Sequence, residues 1–386
     1  MIKKEIIMKW IHLSDLHIGK RVNEISMIDD QKHILQNILD IIEEKQVEGV
    51  ILAGDIYDKP IPSAEAVQVL DDFLSQLSKR NLSTYMISGN HDSMERLSFA
   101  SSLLKNSHVY ISNVFNGIIE PIITKDNYGE IAIYLLPFIK PAMVRPFYEE
   151  EIQSYNDAIE TIMKHITIEK ERRNILVSHQ FVTGAITCDS EEISVGGMDN
   201  VDSRLFEAFD YVALGHIHGA QSIGRETIRY CGTPLKYSFS EEKHVKTATI
   251  IDMKEKGNIT IEEVPLIPKR DMRTIKGSYE FVTAKEHYKT TNVDDYIHIT
   301  LTDEEDIVDV MAKLRTIYPN LMSISYDNKR TRENQKLQNV EKAKEKTPIQ
   351  LFEELYQVQN NSTMSEEQIQ FITKLMEDIW EHGGEN

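Results

Sequence analysis

Histidine, aspartate and asparagine residues stand repeatedly where short apolar runs of this sequence end. Asp15 and His17 follow WIHLS, Asp55 follows VILAG, Asn90, His91 and Asp92 follow TYMISG, His179 ends NILVSH, and His216 and His218 end YVALGHIH. Ligands of open α/β sheets bind at the carboxyl ends of the strands. If these runs are strands, their polar side chains meet at one edge. Gly54, Gly89 and Gly215 adjoin three of the clusters and allow close backbone approach there.

These residue types are suited to binding divalent metal ions. The candidate ligands are Asp15, His17, Asp55, Asn90, His179, His216 and His218. Carboxylate and amide oxygens mixed with imidazole suit manganese, iron or zinc, whereas Cys188 and Cys231 are too few for a thiolate zinc cluster. The set exceeds the needs of one ion, and Asp55 is the best placed to bridge two. Two ions about 3.5–4 Å apart can activate water and polarise a phosphoryl group for in-line displacement.

Each cluster taken alone has an ordinary structural explanation. A histidine at a strand end is more often a packed or capping residue than a ligand. Aspartate and asparagine also favour turns for reasons unconnected with catalysis. The combination is more informative, because five such clusters in order, each after an apolar run, favour one shared site over five coincidences.

The segments between the clusters indicate the elements that position them. Apolar residues at helical spacing predict helices over 27–45 and 63–79, and strands that alternate with helices are typical of an α/β domain. Three later runs between residues 227 and 265 have short connections, which predicts a second sheet with antiparallel pairing. We therefore expect a two-sheet sandwich flanked by helices over residues 1–270.

The remainder of the chain predicts three smaller parts. Residues 271–328 have a β-α-β pattern, with its helix over 304–317, typical of a small α+β domain. Residues 329–347 are polar and lysine-rich, which is typical of a flexible linker. Residues 348–382 contain two amphipathic helical patterns, the second with Ser365 as its N-cap.

Composition and charge exclude several classes of protein. The chain has 386 residues and a net charge of −19, which argues against non-specific coating of nucleic acid but not against a local cationic site. No apolar run approaches the roughly 18 residues of a membrane helix. The basic start lacks a small-residue cleavage site, and Met8 offers an alternative start, so we expect a cytoplasmic protein.

Taken in order, the motifs SDLHIG, GDIYD, GNHD, VSH and GHIH resemble the five signature blocks of the calcineurin-like metallophosphoesterases, over about residues 8–270. The resemblance implies a four-layer αββα sandwich with a small capping domain and C-terminal helices. It implies one metal held by Asp15, His17, Asp55 and His218, and a second held by Asp55, Asn90, His179 and His216. His91 matches the family's non-ligand histidine, which stabilises the transition state or protonates the leaving oxygen, and Asp92 would orient it.

Three segments narrow the resemblance further. MKWIHLSDLHIGKR, DNVDSRLFEAFDYVALGHIHGAQ and CGTPLKYSFSEEK are similar to bacterial nuclease subunits related to the eukaryotic double-strand-break repair nuclease. This implies two Mn²⁺ ions, with Mg²⁺ or Fe²⁺ as alternatives. It implies 3′→5′ exonuclease action on duplex ends and endonuclease action on single strands and hairpins, in DNA repair, replication and recombination.

The same resemblance implies partners. The C-terminal helices would dock on an SMC-like ATPase, the capping domain would lie beside the DNA cleft, and two nuclease chains would assemble with two ATPase chains. No GxxxxGK[ST] loop is present, so nucleotide binding is left to the partner.

Two points stay open at this stage. Asp58 stands where archaeal and eukaryotic relatives often have a histidine important for exonuclease action. The alternatives to a nuclease are a phosphoesterase acting on a smaller phosphorylated substrate and a scaffold without catalysis. The capping segment, linker and terminal helices argue against the first alternative, and the complete ligand set argues against the second.

Overall fold

The computed structural model of the chain describes residues 8–191, 200–329, 331, 349, 352–353, 355–356 and 363–382. These residues form two compact units. The first contains the described residues up to Ile275, Val282–Ile299 and Asp309–Ile324, and the second contains Lys276–Phe281, Thr300–Val308 and the described residues from Ser325 onward. The linker predicted over 329–347 falls almost wholly outside the described residues, and the first predicted C-terminal helix is described only at residues 349, 352–353 and 355–356. The domain boundaries at 270, 328 and 347 stay predictions.

Seventeen short strands lie within the described residues. The first eight are β1 (Lys9–Leu13), β2 (Arg21–Val22), β3 (Ile25–Ser26), β4 (Gly49–Ala53), β5 (Ser83–Ile87), β6 (Val109–Ile111), β7 (Ile122–Asp126) and β8 (Gly129–Leu136). The others are β9 (Arg173–His179), β10 (Tyr211–Gly215), β11 (Gln221–Ile223), β12 (Arg225–Tyr230), β13 (Thr247–Met253), β14 (Ile259–Pro265), β15 (Met272–Gly277), β16 (Tyr296–Leu301) and β17 (Leu321–Tyr326).

Four helices of eleven residues or more and several shorter ones complete the described elements. They are α1 (Ile28–Lys45), α2 (Ala64–Lys79), α3 (Met94–Leu97), α4 (Ser101–Leu104), α5 (Pro141–Val144), α6 (Tyr155–His165), α7 (Tyr279–Thr283), α8 (Lys285–Tyr288), α9 (Val310–Arg315) and α10 (Glu366–His382). Short 3₁₀ turns lie at Lys105–Ser107, Arg145–Phe147, Ser203–Phe206 and Phe239–Glu241. Within the described residues, no helix is both long enough and apolar enough to cross a membrane.

Both helices predicted between the first three clusters are confirmed, and one of them has a side-chain cap. The helices α1 and α2 match the predictions over 27–45 and 63–79, and the Ser63 hydroxyl accepts the Ala66 N–H at 3.2 Å. A serine acceptor at this position satisfies one of the amide donors that a helix start leaves unpaired.

The last helix is capped as predicted, whereas the helix of the β-α-β segment is shorter than predicted. Ser365 accepts the Gln368 N–H, and the Gln368 side chain accepts the Ser365 N–H at 2.8 Å, which is a capping box. The helix expected over 304–317 begins only at Val310. Asp309 has a left-handed φ of 54°, which a right-handed helix cannot continue through.

Two six-stranded sheets form the body of the first unit. The first sheet has the order β14-β13-β1-β4-β5-β6 and the second has the order β11-β12-β10-β9-β8-β7. Strands β1, β4, β5 and β6 run parallel, as do β8, β9, β10 and β12. A third sheet, β15-β16-β17, follows in the chain.

The predicted grouping of the later strands is wrong in one respect. The three runs after residue 227 do not form a sheet of their own. β12 joins the second sheet parallel to β10, whereas β13 returns to the first sheet and pairs antiparallel with β1, with β14 outside it. The pairing covers the free edge of β1, an edge that would otherwise expose unpaired backbone groups.

The core has three apolar layers, which give the sandwich its four layers of secondary structure. Trp10, Ile51, Tyr85, Ile133 and Ile175 belong to the layer between the two sheets. Residues of α1 and α2 share a second cluster with the outward-facing side chains of the first sheet. Residues of α6 do the same for the second sheet. The alternation of side chains along each strand therefore builds an α/β/β/α arrangement, which confirms the predicted fold class.

Candidate metal centre

The predicted ligands lie together at the carboxyl ends of β1, β4, β5, β9 and β10. Asp15, His17, Asp55, His179, His216 and His218 are buried, and Asn90 is half-buried. The strand ends of the two sheets are close enough that a Cβ placed on Gly215 would stand 1.9 Å from the Ala53 carbonyl oxygen. Both sheets therefore contribute to one site.

Asp55 lies at the middle of the cluster. Its Oδ2 is 3.6 Å from His17 Nε2 and 3.4 Å from His179 Nε2. The same oxygen is 3.9 Å from Nε2 of His91, and its Oδ1 accepts the His91 backbone N–H at 2.9 Å. This central position agrees with the bridging role expected of Asp55.

Asn90 joins two of the histidines. Its Oδ1 is 3.0 Å from His179 Nε2 and also 3.0 Å from His216 Nδ1. The other nitrogen of His179 lies 2.8 Å from the Ala53 carbonyl oxygen. Because a carbonyl oxygen only accepts, that nitrogen carries a hydrogen, and Nε2 of His179 is the ring nitrogen that can bind a metal once its own proton is displaced.

Asp15, His17 and His218 form the other side of the cluster. Nε2 of His17 and Nε2 of His218 are 3.3 Å apart. The Asp15 carboxylate accepts the His216 backbone N–H at 3.1 Å and a hydrogen bond from the Ser14 hydroxyl. Its orientation is therefore fixed before any ligand arrives.

Four of the candidate ligands occupy left-handed backbone conformations. The φ angles are 52° at Asp15, 44° at His17, 49° at Asp55 and 103° at His216. Residues other than glycine adopt this region at a cost, and such outliers concentrate at functional sites. Hydrogen bonds between neighbouring loops hold them there, since Asp15 N donates to Gly54 O at 3.0 Å and His17 N donates to Asp55 O at 2.9 Å.

The glycines beside the clusters are required by crowding. A Cβ at Gly54 would stand 2.3 Å from the His179 ring, and Gly54 also has a φ of 90°. A Cβ at Gly89 would stand 2.1 Å from Asp55 Oδ1. The ligands can approach one another this closely only because these positions carry no side chain.

Burial and mutual charge set the protonation of the cluster. Burial lowers the pKa of His17 well below its ordinary value and that of His216 to about 3, so both rings are neutral. Burial opposes protonation of His179, but the charge and hydrogen bond of Asp55 raise its pKa to about 9. Burial likewise opposes ionisation of Asp55, yet His179 lowers its pKa below the ordinary range. A bound cation would replace the proton that this pair shares.

The donor set fits divalent metal ions. Asp15, His17 and His218 offer donor atoms within 4.8 Å of one another, as do Asp15, Asp55 and His179. Neutral imidazoles and ionised carboxylates are the forms that bind metals. The centre is thus a divalent metal site by the chemistry of its ligands.

His91 and Asp58 lie beside the ligands. The His91 side chain is 16% exposed, and its Nδ1 is 3.2 Å from the Asp58 carbonyl oxygen. The Asp58 carboxylate forms an ion pair with Lys20 at 2.8 Å and lies 3.8 Å from His17 Nδ1. The position that the sequence left open therefore contacts both a candidate ligand and the candidate catalytic histidine.

The structure gives Asp92 contacts that the sequence did not suggest. Its carboxylate accepts the backbone N–H groups of Ile56 at 3.0 Å, Tyr57 at 2.9 Å and Gly89 at 2.9 Å. Burial, together with the charge of Asp55, raises the pKa of Asp92 to about 6. Asp92 thus fixes the main chain that follows Asp55 and joins it to the loop at Gly89, and its expected orientation of His91 stays a prediction.

Sequence reasoning missed three residues next to His218. Glu191 accepts the His218 backbone N–H at 2.7 Å, and Ser190 Oγ lies 2.7 Å from His218 Nδ1. Glu241 is completely buried and hydrogen-bonds to Ser190. A glutamate amid the polar letters of YSFSEEK gives no sign of burial, so no sequence pattern could have identified it.

The fold and the centre together define a metal-dependent phosphoesterase, and comparisons with known proteins agree. The family model "Calcineurin-like phosphoesterase" matches residues 8–220. The model SbcD_C, "Type 5 capsule protein repressor C-terminal domain", matches residues 268–360. The D subunit of the nuclease SbcCD of Staphylococcus epidermidis is 34% identical over 82% of this chain and 85% of its own length. Its namesake from Staphylococcus saprophyticus is 33% identical over 82% of this chain and 84% of its own.

The chain therefore belongs to the calcineurin-like phosphoesterases and, among them, to the family formed by the D subunits of SbcCD nucleases.

The close approach at Gly89 yields a test of the centre. We expect Gly89→Ala to push Asp55 out of place and to abolish tight binding of Mn²⁺, because the new Cβ would overlap its carboxylate. Gly219→Ala is the matched control, since its Cβ would meet no atom closer than 3.4 Å although it adjoins His218. Equilibrium dialysis with Mn²⁺ measures both. Equal binding by the two variants would contradict the geometry described here.

Proposed function

We propose that the chain is a metal-dependent DNA nuclease, the D subunit of an SbcCD complex. The observation that supports this most is the convergence of all seven expected ligands with His91 at the joint edge of two sheets. The two relatives whose alignments cover 82% of the chain are named as nuclease subunits of that complex. A nuclease of this kind acts in DNA repair, replication and recombination, in the cytoplasm.

Two divalent ions are the proposed cofactors, Mn²⁺ in the first place, with Mg²⁺ or Fe²⁺ as alternatives for one or both. Asp15, His17, Asp55 and His218 would hold one, and Asp55, Asn90, His179 and His216 the other. The central carboxylate of Asp55, with histidines on both sides within 3.6 Å, supports its place in both sets. When bound, such ions supply Lewis-acid activation of water and of the phosphodiester.

The chain's own contribution to the reaction centres on His91. Its Nδ1 faces an acceptor, the Asp58 carbonyl, so this nitrogen carries a hydrogen in either protonation state. Its Nε2 is turned toward the ligand cluster. In the protonated ring, Nε2 therefore holds a proton that can pass to the leaving 3′-oxygen or stabilise the charge on the phosphate.

The substrates that we propose are DNA ends, hairpins and single strands. Action on duplex ends would be 3′→5′ exonucleolytic, and action on hairpins and single strands endonucleolytic. The match of SbcD_C to residues 268–360 supports this choice over a small phosphorylated substrate, since a small-substrate phosphoesterase has no need of that segment. We further propose that residues 271–328 line the DNA side of the cleft and that 329–347 tether the terminal helices.

A cleavage assay tests the function as a whole. We expect Mn²⁺-dependent cleavage of a duplex with a hairpin end, stimulated by ATP and by SbcC, the SMC-like ATPase that we propose as partner, and abolished by Asp55→Ala. No cleavage under any condition by a chain that binds metal would rule out the nuclease. Hydrolysis of a small phosphomonoester alone would favour the smaller-substrate phosphoesterase.

His91→Ala separates catalysis from metal binding. We expect this variant to bind Mn²⁺ as the parent does but to lose about 100-fold or more in cleavage rate, the range for removal of a general acid. His165→Ala serves as control, because His165 is an exposed histidine paired with Glu150 at 2.8 Å. Cleavage by His91→Ala at the parental rate would remove His91 from the mechanism.

The C-terminal helix is the proposed docking element for the SbcC ATPase. In α10, Phe371 is 67% exposed and Leu375 is 43% exposed, one helical turn apart. Phe371 and Ile372 lie on an apolar face beside Phe352 and Tyr356. An amphipathic helix that keeps such a face uncovered is suited to a groove or coiled coil of a partner.

Two substitutions on α10 test this docking. We expect Phe371→Ser to weaken co-purification with SbcC while hairpin cleavage without SbcC stays unchanged. Gln370→Ser is the matched control, because its exposed side chain is polar. Equal retention of SbcC by both variants would place the docking surface elsewhere.

We also propose that two copies of the chain pair, as two nuclease subunits of the complex. Phe99 is 81% exposed and Leu103, at the following turn, is 72% exposed. Large apolar side chains exposed this close together favour a contact with another protein surface. Light scattering should give twice the chain mass for the parent and for Ser102→Glu, and the mass of one chain for Leu103→Glu. A monomeric parent, or a dimeric Leu103→Glu, would refute this interface.

A further inference from the structure

We propose that Ser190 and Glu241 are positioning residues that hold the ring of His218 with its Nε2 lone pair directed into the metal centre. The proposal rests on the metal role proposed for His218. It goes beyond that role, because it assigns the orientation of one ligand to two side chains from distant parts of the chain.

The direction of the hydrogen bonds follows from what each group can donate. Ser190 Oγ is 2.6 Å from Glu241 Oε1 and 2.7 Å from His218 Nδ1. A carboxylate accepts only, so the single hydroxyl hydrogen of Ser190 points to Glu241. The hydroxyl oxygen is then an acceptor, and Nδ1 of His218 must carry the hydrogen that it receives. Nε2 is left with its lone pair.

The Nε2 atom so prepared faces the centre. It stands 3.3 Å from Nε2 of His17, and both rings belong with Asp15 to one group of convergent donors. Fixing the remote nitrogen of a metal-binding histidine selects the ring tautomer and orientation that the metal requires. The Ser190–Glu241 pair supplies this fixing for His218.

The Glu241 carboxylate is itself immobile. It is completely buried, its Oε2 forms an ion pair with Lys246, and its Oε1 also accepts the Tyr237 backbone N–H at 3.2 Å. Lys246 Nζ donates in addition to the His218 carbonyl oxygen at 2.8 Å. The ring and the main chain of His218 are thus held by one connected network.

In His218, a side chain contacts the ring nitrogen that points away from the centre, whereas in His179 the main chain does so. His179 Nδ1 lies 2.8 Å from a main-chain acceptor, the Ala53 carbonyl, which no substitution can remove. The acceptor of His218 is a side chain on a different segment, 28 residues away in sequence. Its removal should therefore affect the metal set of His218 and spare the set of His179.

Ser190→Ala tests the proposal, with Ser240→Ala as the matched control. Ser240 Oγ accepts the Asp189 N–H at 3.1 Å, so it joins the same two segments without contacting His218. The test is to follow Mn²⁺ binding to the full chain through the electron paramagnetic resonance signal of free Mn²⁺. Ser190→Ala should weaken one of two binding steps by about 10–100-fold, the usual effect of losing a partner of a ligand. Ser240→Ala should leave both steps unchanged.

Two further measurements separate positioning from a structural defect. The melting temperature of Ser190→Ala with EDTA should equal that of Ser240→Ala, and cleavage by Ser190→Ala should recover at high Mn²⁺. Ser190→Thr keeps the hydroxyl and should bind Mn²⁺ as the parent does.

The possible failures are distinguishable. If the parent binds no Mn²⁺, the proposed metal centre fails, and the positioning proposal fails with it. If the parent binds two ions and Ser190→Ala has the same two affinities, only the positioning proposal is overturned.

Discussion

The whole structure depends on holding a buried carboxylate, Asp55, among imidazoles that belong to two different sheets. Asp55 follows β4 of the first sheet, whereas His179 ends β9 of the second, and the two side chains are 3.4 Å apart. Burial alone would make an ionised carboxylate costly. The partner histidine offsets that cost, and it can reach Asp55 only because the two sheets are stacked with their strand ends together.

That stacking explains features of the chain that have no catalytic role. The layer between the sheets contains large side chains such as Trp10 and Tyr85, which set the spacing of the sheets. Close to the site, positions without a side chain are needed instead. Gly54 and Gly89 leave room there for His179 and Asp55. The left-handed residues Asp15 and Asp55 are held by loop hydrogen bonds that rigid strand ends make possible. The strain at the site is thus compensated by the core beneath it.

The sequence predicted which residues meet at the site better than it predicted the connections between them. Polar residues after apolar runs mark strand ends whatever the order of the strands, so Asp15 and His179 could be placed without knowing the topology. The sheet to which β13 belongs could not be inferred, because pairing with β1 joins segments more than 200 residues apart. The contacts of Asp92 with three main-chain amides depend on the tertiary path of two loops, and so does the burial of Glu241.

The charge of the centre explains how a chain with a net charge of −19 could act on DNA, as we propose. The ligand set contains two carboxylates, from Asp15 and Asp55, and burial keeps the rings of His17 and His216 neutral. The positive charge of the two divalent cations that we propose would exceed the negative charge of the two carboxylates. The centre would therefore be locally positive. A phosphodiester is then attracted to the site itself, because in a buried cleft the nearest charges dominate the field over the distant acidic surface, which salt screens. The acidic surface would in turn disfavour non-specific binding along the duplex, which suits the action at DNA ends that we propose.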